Sequence, residues 1–390
     1  MSDPIIVLHT ADLHFGRRWL RATRGGDNIR ELDVYRVGEL VSTWAAETLK
    51  PDLMIVAGDV WDDSRPSSQA LGHGYDFHAR PREAGIPIVV IGGNHDTVTT
   101  PGRPTPLQHL ENYFGCHVML EQSEMEIAGI QVCAVPYRTL STGELRDPDY
   151  SDQIPSLLVV HADADGDDLP DFAKFSYVRL PREKLFDPRA QLRLLGHVHI
   201  HQQIGEHAYY SGALERLTWG ELPNDPAVYV HRIYEDGRVE TETVLVSSMG
   251  DGSAPRPALD LTLNCQEMEA GNVVDAALAK LEASQLDEHL VRITMQNAPQ
   301  DLYAINYEET LIRRAMQRGA FALKARVQLR EDKEFIPDAE TLEQLPQEPG
   351  AALSEHYRGF AERNGDKDIA DLGCQLIAQA SGEVAESSVA

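Results

Sequence analysis

Short apolar runs recur along the first 246 positions, and stretches of helical periodicity separate the first three of them. Five runs predict buried strands, because they are apolar without alternation: Ile5 to Leu8, Leu53 to Ala57, Ile86 to Ile91, Leu157 to Val160 and Leu192 to Leu195. Leu32 to Leu49 and Ser67 to Ala84 predict the intervening helices. This order of elements predicts an α/β fold with a buried sheet.

Three later runs are separated by turn residues, and we interpret them as antiparallel strands of a second sheet. They are Ile127 to Val135, Ala227 to Ile233 and Val239 to Val246. The first domain is therefore predicted to occupy residues 1–246.

A segment rich in small residues, glycine and proline, 247–257, has no periodicity and predicts a linker. Strand and helix patterns then alternate through 258–336, which predicts a small α+β domain. Residues 337–390 follow with several prolines and then a polar helical pattern. Apolar positions recur at helical spacing within this tail, so we expect its apolar face to bury against something.

Polar side chains follow each of the five buried strands. They are Asp12 and His14, Asp59 and Asp62, then Asn94, His95 and Asp96, then His161, and finally His197 and His199. Ligands of open α/β sheets bind at the carboxyl ends of the strands, so we expect these clusters to meet at one edge. Carboxylate, carboxamide and imidazole without thiolate suit Mn²⁺, Fe²⁺ or Zn²⁺, and the groups suffice for two ions. Such a pair of ions stabilises both oxygens of an in-line displacement at phosphorus, which predicts phosphoester hydrolysis.

The motifs D-x-H, G-D-x-x-D, G-N-H-D, a lone histidine and G-H-x-H occur in that order between Asp12 and His199. In this order they resemble the calcineurin-like metallophosphoesterases. The stretches GDVWDDSRPS, LPREKLF and YSGALERLTWGE further resemble the SbcD family of bacterial double-strand-break repair nucleases. The resemblance implies a sandwich of two packed β-sheets flanked by helices, with a smaller α+β domain that caps the DNA site and a C-terminal helical tail.

Residue by residue, the resemblance implies that Asp12, His14, Asp59 and His199 hold one metal ion. Asn94, His161, His197 and the shared Asp59 would hold the other. It implies two Mn²⁺ per subunit, with Mg²⁺, Fe²⁺ or Zn²⁺ as other occupants. His95 would lie beside the phosphate as a transition-state stabiliser or proton donor, and Asp62 would orient it.

The resemblance also implies 3′-to-5′ exonuclease action on double-stranded DNA and endonuclease action on single strands and hairpin DNA. It implies homodimerisation through helices of the nuclease domain, and a heterotetramer with the SbcC ATPase, which the tail of residues 337–390 would bind. Two alternatives stay open. One is a phosphatase or cyclic-nucleotide phosphodiesterase with the same centre, and the other is a scaffold subunit without activity.

The charge argues at first against a nucleic-acid substrate, because 62 acidic residues oppose 35 basic ones. However, residues 331–390 hold 14 acids and 4 bases, and residues 235–288 hold 12 acids and 3 bases. The loop after the first metal motif is instead basic, and we expect its arginines to contact DNA phosphates: Arg17, Arg18, Arg21, Arg24 and Arg30. The global charge therefore says little about the metal site.

The first 14 residues hold one short apolar run and no basic segment, which is unlike a signal peptide or a membrane span. We therefore expect a cytoplasmic, nucleoid-associated protein with no membrane partner.

Overall fold

The computed structural model describes residues 3–96, 105–164, 178–250, 252 and 254–330. The expected tail at 337–390 lies outside these residues. Among the described residues, no helix combines the length and the apolar character that crossing a bilayer requires.

Strands and helices follow one another from the N-terminus. In chain order they are β1 (Ile5–Thr10), β2 (Thr23–Arg24), β3 (Asp27–Asn28), α1 (Ile29–Trp44), β4 (Leu53–Val56), α2 (Ser68–Glu83), β5 (Ile88–Ile91), α3 (Leu107–Phe114), β6 (His117–Met119), β7 (Ser123–Ile127), β8 (Ile130–Val135), α4 (Tyr137–Ser141), β9 (Ser156–His161), β10 (Asp163–Ala164), β11 (Arg179–Leu180), α5 (Arg182–Leu185), β12 (Leu192–Gly196), β13 (Gln202–Gly205), β14 (Ala208–Tyr210), β15 (Ala227–Ile233), β16 (Val239–Leu245), β17 (Ala258–Asn264), α6 (Ala270–Glu282), β18 (Leu290–Ala298), α7 (Tyr307–Gln317) and β19 (Ala322–Leu329). A π-helical turn, Ala45–Leu49, extends α1.

Two six-stranded sheets form the first part of the fold. The first has the order β16-β15-β1-β4-β5-β6, in which β1, β4, β5 and β6 run parallel and the β15–β16 hairpin is antiparallel. The second has the order β13-β14-β12-β9-β8-β7, with β8, β9, β12 and β14 parallel. The carboxyl ends of β1, β4 and β5 belong to one sheet, and those of β9 and β12 belong to the other.

Both faces of the first sheet are buried, which explains its continuous apolar runs. Leu53 and Ile55 of β4 belong to the core cluster that also contains Leu157 and Leu192 of the second sheet. The alternate residues Met54 and Val56 pack in a separate cluster with helices α1, α2 and α3. Successive side chains of a strand point to opposite faces, so one run supplies two cores.

The strands and helices predicted for the α/β part are confirmed, except that a turn divides the Ile127 to Val135 run between β7 and β8. The sheet assigned to two of the strands is wrong. The Ala227–Ile233 and Val239–Leu245 strands join the first sheet, where β15 pairs antiparallel with β1. The Ile130–Val135 strand does lie in the second sheet, where it pairs parallel with β9 and antiparallel with β7. Local patterns determine a hairpin, whereas its long-range neighbour depends on which buried face it complements.

A third sheet of three parallel strands, β17-β18-β19, follows with α6 and α7 between its strands. The elements match the predicted strand and helix alternation, and they enclose a core of their own that includes Val273, Ile293 and Leu311. Residues 1–329 form one compact unit that includes this sheet. The domain boundaries stay predictions.

Buried ion pairs join the third sheet's region to α1. Arg256, within the predicted linker, donates to the buried Asp33 of α1 (Nε to Oδ2, 2.7 Å) and, at the surface, to the exposed Glu288 (Nη1 to Oε2, 2.5 Å). Arg30 has no exposed surface and pairs with Asp33 and Glu215. Removing one partner of a buried pair costs about 3–5 kcal/mol, so this network fixes the predicted linker against the sandwich.

Candidate metal centre

The loops after the strands turn the predicted ligands inward by adopting unusual backbone conformations. Asp12 (φ 52°), His14 (φ 46°), Asp59 (φ 52°) and His197 (φ 94°) all have positive φ. Side-chain-bearing residues rarely adopt this region, and such strain concentrates at functional sites. Backbone hydrogen bonds continue the pairing of β1 and β4 into these loops, including Asp12 N to Gly58 O (3.0 Å) and His14 N to Asp59 O (3.1 Å).

The first group of ligand atoms lies between the two sheets' strand ends. The Nε2 atoms of His14 and His199 are 3.1 Å apart, and His14 Nε2 lies 3.6 Å from Asp59 Oδ2. Asp12 joins this group, since one ligand atom each of Asp12, His14 and His199 falls within 4.8 Å of the others. These are the four residues expected to hold one ion.

The second group surrounds the amide oxygen of Asn94. His161 Nε2 lies 3.0 Å from Asn94 Oδ1, and His197 Nδ1 lies 2.9 Å from the same oxygen. His161 Nε2 is also 3.3 Å from Asp59 Oδ2. Asp59 is therefore near both groups, as the resemblance implies for a shared ligand.

The other ring nitrogen of each clustered histidine faces a partner that fixes its orientation. His161 Nδ1 donates to Ala57 O (2.7 Å), and His199 Nδ1 lies 3.0 Å from Glu221 Oε1. His14 Nδ1 lies 3.2 Å from Asp62 Oδ1, and His197 Nε2 lies 3.6 Å from Asp163 Oδ2. Metal-ligating histidines almost always have such outer partners, which fix the tautomer.

Electrostatics favours a positive charge inside the cluster. Burial raises the pKa of Asp59, but His161, His14 and His95 together outweigh it and hold that pKa below its usual range. Burial lowers the pKa of His161, but the Asp59 carboxylate outweighs it and raises the pKa to about 9. Converging lone pairs of oxygen and nitrogen need a proton or a cation between them, so these residues fit a dimetal site.

His95 lies at the edge of the first group, and its ring is 4.8 Å from that of His14. Its backbone N–H donates to Asp59 Oδ1 (2.9 Å), and its Nδ1 donates to the backbone carbonyl of Asp62 (2.7 Å). The expected contact with Asp62 is thus made by the backbone, because the Asp62 carboxylate faces His14 and Arg17 instead (Arg17 Nη1 to Oδ1, 3.4 Å).

The arginines of the basic loop divide into exposed and buried ones. Arg21 and Arg24 are exposed, and Arg18 is mostly exposed while it pairs with Glu31 (2.6 Å). Arg17 is partly exposed beside Asp62. Arg30 is fully buried in its ion pairs, so it cannot reach a phosphate in this conformation, and we withdraw it from the expected DNA contacts.

Three carboxylates contribute to the site although none of them was predicted as a metal ligand or a catalytic residue. Glu221 and Asp163 face the candidate ligands His199 and His197. Asp96 is buried and accepts hydrogen bonds from three backbone N–H groups of the loops that follow β4 and β5. Asp96 ends the G-N-H-D motif and Asp163 lies two residues after His161, which was the available signal. Glu221, 22 residues after His199, ends the stretch YSGALERLTWGE, whose resemblance assigned it no role, and only the fold shows its contact with His199.

We expect Glu221→Gln to weaken binding of one Mn²⁺ by about tenfold. The carboxylate is nearly buried, and losing its charge weakens the hydrogen bond that fixes His199; loss of such partners typically costs 10- to 100-fold in affinity. Isothermal titration with Mn²⁺ measures the change. Glu206→Gln, which removes an equal charge from an exposed turn, is the matched control. Equal affinities for the two variants would contradict the role given to Glu221.

The sequence has detectable relatives. Its match to the SbcD subunit of the SbcCD nuclease of Escherichia coli K12 is 25% identical over 276 residues, covering 60% of this chain and 66% of that protein. The SbcD subunit of the Staphylococcus epidermidis SbcCD nuclease is 29% identical over 143 residues, 35% of each chain. The DNA double-strand break repair protein Mre11 of Saccharolobus solfataricus is 29% identical over 132 residues, 34% of this chain and 33% of that protein.

The matches therefore extend over less than two thirds of the length of these relatives. The model of the calcineurin-like phosphoesterase family matches residues 5–231. This range contains all the predicted metal ligands and both six-stranded sheets, except β16 and the last two residues of β15. On this match, together with the two-sheet fold and the convergent ligand set, the chain belongs to the calcineurin-like phosphoesterase family.

Proposed function

We propose that this protein is a metal-dependent DNA nuclease that acts in double-strand-break repair and recombination. The single observation that supports it best is the convergence of the candidate ligands from both sheets around Asp59, with His95 beside them. A scaffold without activity has no need for four strained loop residues and an oriented set of histidines.

In this proposal Asp12, His14, Asp59 and His199 hold one cation, and Asn94, His161, His197 and Asp59 hold the other. Two bound cations would stabilise charge on the attacking and leaving oxygens of an in-line displacement at phosphorus. Oxygen and imidazole nitrogen donors without thiolate suit Mn²⁺, Fe²⁺ or Zn²⁺, and Mn²⁺ is the proposed occupant by the resemblance to the SbcD family.

His95 is the proposed proton donor. Its Nδ1–H donates to the Asp62 carbonyl oxygen, which can only accept a hydrogen bond. Nε2 is therefore the ring atom that gains and loses a proton. Nε2 would therefore donate to a phosphate oxygen or to the leaving oxygen, and the carbonyl of Asp62 would keep the ring aligned.

DNA is the proposed substrate because exposed arginines flank the site and because the relatives are named as a nuclease subunit and as a DNA double-strand break repair protein. Arg17, Arg18, Arg21 and Arg24 lie on the loop and the β2–β3 hairpin that directly follow His14. Arginines in this position would hold the phosphate backbone and add no sequence preference. From the resemblance to the SbcD family we further propose 3′-to-5′ exonuclease action on double strands and endonuclease action on single strands and hairpins.

The same likeness suggests an SbcC-type ATPase partner, a homodimer within a heterotetramer, and a place at the nucleoid in the cytoplasm. In this proposal residues 1–246 form the nuclease domain, 247–257 the linker and 258–336 the capping domain. Residues 337–390 form the segment that contacts the ATPase.

A paired assay tests the proposed function. Purified protein is incubated with an end-labelled hairpin duplex or with p-nitrophenyl phosphate. Mn²⁺ is present at about 1–5 mM, which would fill a divalent-ion site of weak affinity. We expect shortened or nicked DNA and little monoester turnover, and we expect excess chelator to abolish the cleavage. Turnover of the monoester alone would indicate a phosphatase, and no turnover of either substrate would favour the scaffold.

A further inference from the structure

A short turn connects the third sheet to the metal centre. Trp219–Glu221 forms a single 3₁₀ turn in the segment between β14 and β15, and it contacts three separate parts of the fold. Each contact involves a different group of the turn: the Glu221 carboxylate, the Trp219 carbonyl and the Trp219 ring.

The Glu221 carboxylate is held tightly on the side that faces the metal centre. Its Oε1 faces His199 Nδ1 and also accepts from Thr218 Oγ1 (3.0 Å), while Oε2 accepts from Leu217 N (2.7 Å). The carboxylate can therefore reposition only if the turn itself moves, so the position of the turn sets the position of the His199 ring.

The Trp219 carbonyl is held by the third sheet. Arg292 of β18 donates from Nη1 to Trp219 O (2.7 Å), and Asp260 of β17 accepts from the other side of the same guanidinium (Nε to Oδ1, 2.8 Å). The Arg292 side chain is 13% exposed, and a planar guanidinium held on two edges has little freedom. Neither Arg292 nor Asp260 belongs to the matched family region, residues 5–231.

The Trp219 ring contacts the loop that follows His14. Its centroid lies 5.4 Å from that of Trp19 in an edge-to-face arrangement, and Trp19 in turn lies under the Arg30 guanidinium at 5.1 Å. The turn thus has contacts with two of the three segments that carry the candidate ligands of the first ion, those of His14 and His199.

We infer that Arg292 is a positioning residue through which the third sheet controls ion binding at the group formed by Asp12, His14, Asp59 and His199. Arg292 fixes the Trp219 carbonyl, the turn fixes Glu221, and Glu221 fixes the His199 ring. A displacement of the third sheet would shift these contacts one after another and weaken ion binding at this group. Among the described residues, the group around Asn94 has no hydrogen bond to the turn. This inference rests on the proposed dimetal site.

The test is Mn²⁺ titration of the full chain by calorimetry, with the stoichiometry measured independently by electron paramagnetic resonance. Arg292→Leu removes the hydrogen bond and keeps most of the apolar stem; we expect about fivefold weaker binding at one of two sites, as for a single net hydrogen bond. Arg292→Lys keeps the charge and one donor, and we expect an affinity within about twofold of wild type. Arg326→Leu, at an exposed position of the neighbouring strand β19, is the matched control and should bind both ions as the wild type does.

A double-mutant cycle checks that the effect passes through Glu221. In the Glu221→Gln background, Arg292→Leu should change the affinity by less than about twofold, because coupled residues are not additive. Three results would each overturn the inference. The first is full additivity of the two substitutions, and the second is unchanged Mn²⁺ binding in Arg292→Leu. The third is equal weakening of both sites together with a lower unfolding temperature of the metal-free chain. If the wild-type chain binds no Mn²⁺, the dimetal proposal fails and this inference fails with it. If wild type and Arg292→Leu bind two ions equally well, only the inference fails.

Discussion

His95→Asn is expected to lower metal-dependent DNA cleavage by about 10²- to 10⁴-fold, the usual contribution of a positioned proton donor. Asparagine retains the backbone N–H that donates to Asp59 Oδ1, so the shared ligand keeps this contact. It cannot release a proton from a site equivalent to Nε2. The variant should therefore bind two Mn²⁺ with affinities close to those of the wild type.

The measurement combines single-turnover cleavage of an end-labelled duplex with Mn²⁺ titration of the same preparation. His117→Asn, on edge strand β6, makes the same change outside the cluster and should cleave normally. Cleavage by His95→Asn at a rate close to wild type would contradict the role of His95 as proton donor. Loss of one Mn²⁺ from the variant would instead identify His95 as a ligand. His95 lies close enough to His14 and Asp59 to bind the same ion.

The metal centre was largely predictable from the sequence because its ligands follow strand ends directly. A short apolar run such as Leu53–Val56 predicts a buried strand, and Asp59 is then expected just beyond its carboxyl end. The prediction that all clusters meet at one edge of a sheet was too simple. Asp59 and His161 come from different sheets, and they meet because the sheets pack face to face with their carboxyl ends together.

Long-range partners were not predictable in the same way. Arg30 stands in a basic stretch of sequence and looked like a phosphate contact, yet it is buried against Asp33 and Glu215. Glu215 is 185 positions away, and no local pattern reveals that pairing. The interpretation of a charge cluster as a binding surface therefore depends on where the opposite charges fold, which only tertiary structure supplies.

Glu221 and Arg292 were not predicted for a related reason. Glu221 ends the stretch YSGALERLTWGE, which carried a family resemblance but assigned no role to this glutamate, and Arg292 stands in no motif. Each acts on the site through one hydrogen bond across the fold. Residues of this kind orient ligands and do not coordinate, so their sequence spacing from the ligands is unconstrained.

Gly93→Ala is expected to abolish binding of at least one Mn²⁺ and to reduce cleavage by more than about 10²-fold. A Cβ at Gly93 would overlap both the Oδ1 atom and the backbone nitrogen of Asp59. The backbone nitrogen cannot rotate away as a side chain would, so the two loops must separate or the Asp59 carboxylate must leave its position. Overpacking of this kind costs about 1–3 kcal/mol, and here the displaced group is the one that contacts both ligand sets.

Gly72→Ala is the matched control, because its Cβ would meet nothing within 4 Å on helix α2. This substitution should raise stability slightly, by about 0.5–1 kcal/mol for glycine to alanine within a helix. Thermal unfolding of the metal-free proteins measures the effect on stability, and Mn²⁺ titration measures the effect on metal binding. Gly93→Ala should stay folded but lose the rise in unfolding temperature that Mn²⁺ gives the wild type. That rise is expected because an ion that binds only the folded chain stabilises it by about 2.7 kcal/mol at 100 times its dissociation constant. A Gly93→Ala chain with the full metal-dependent rise would show that Asp59 tolerates displacement, and its place as the ligand shared by both ions would have to be abandoned.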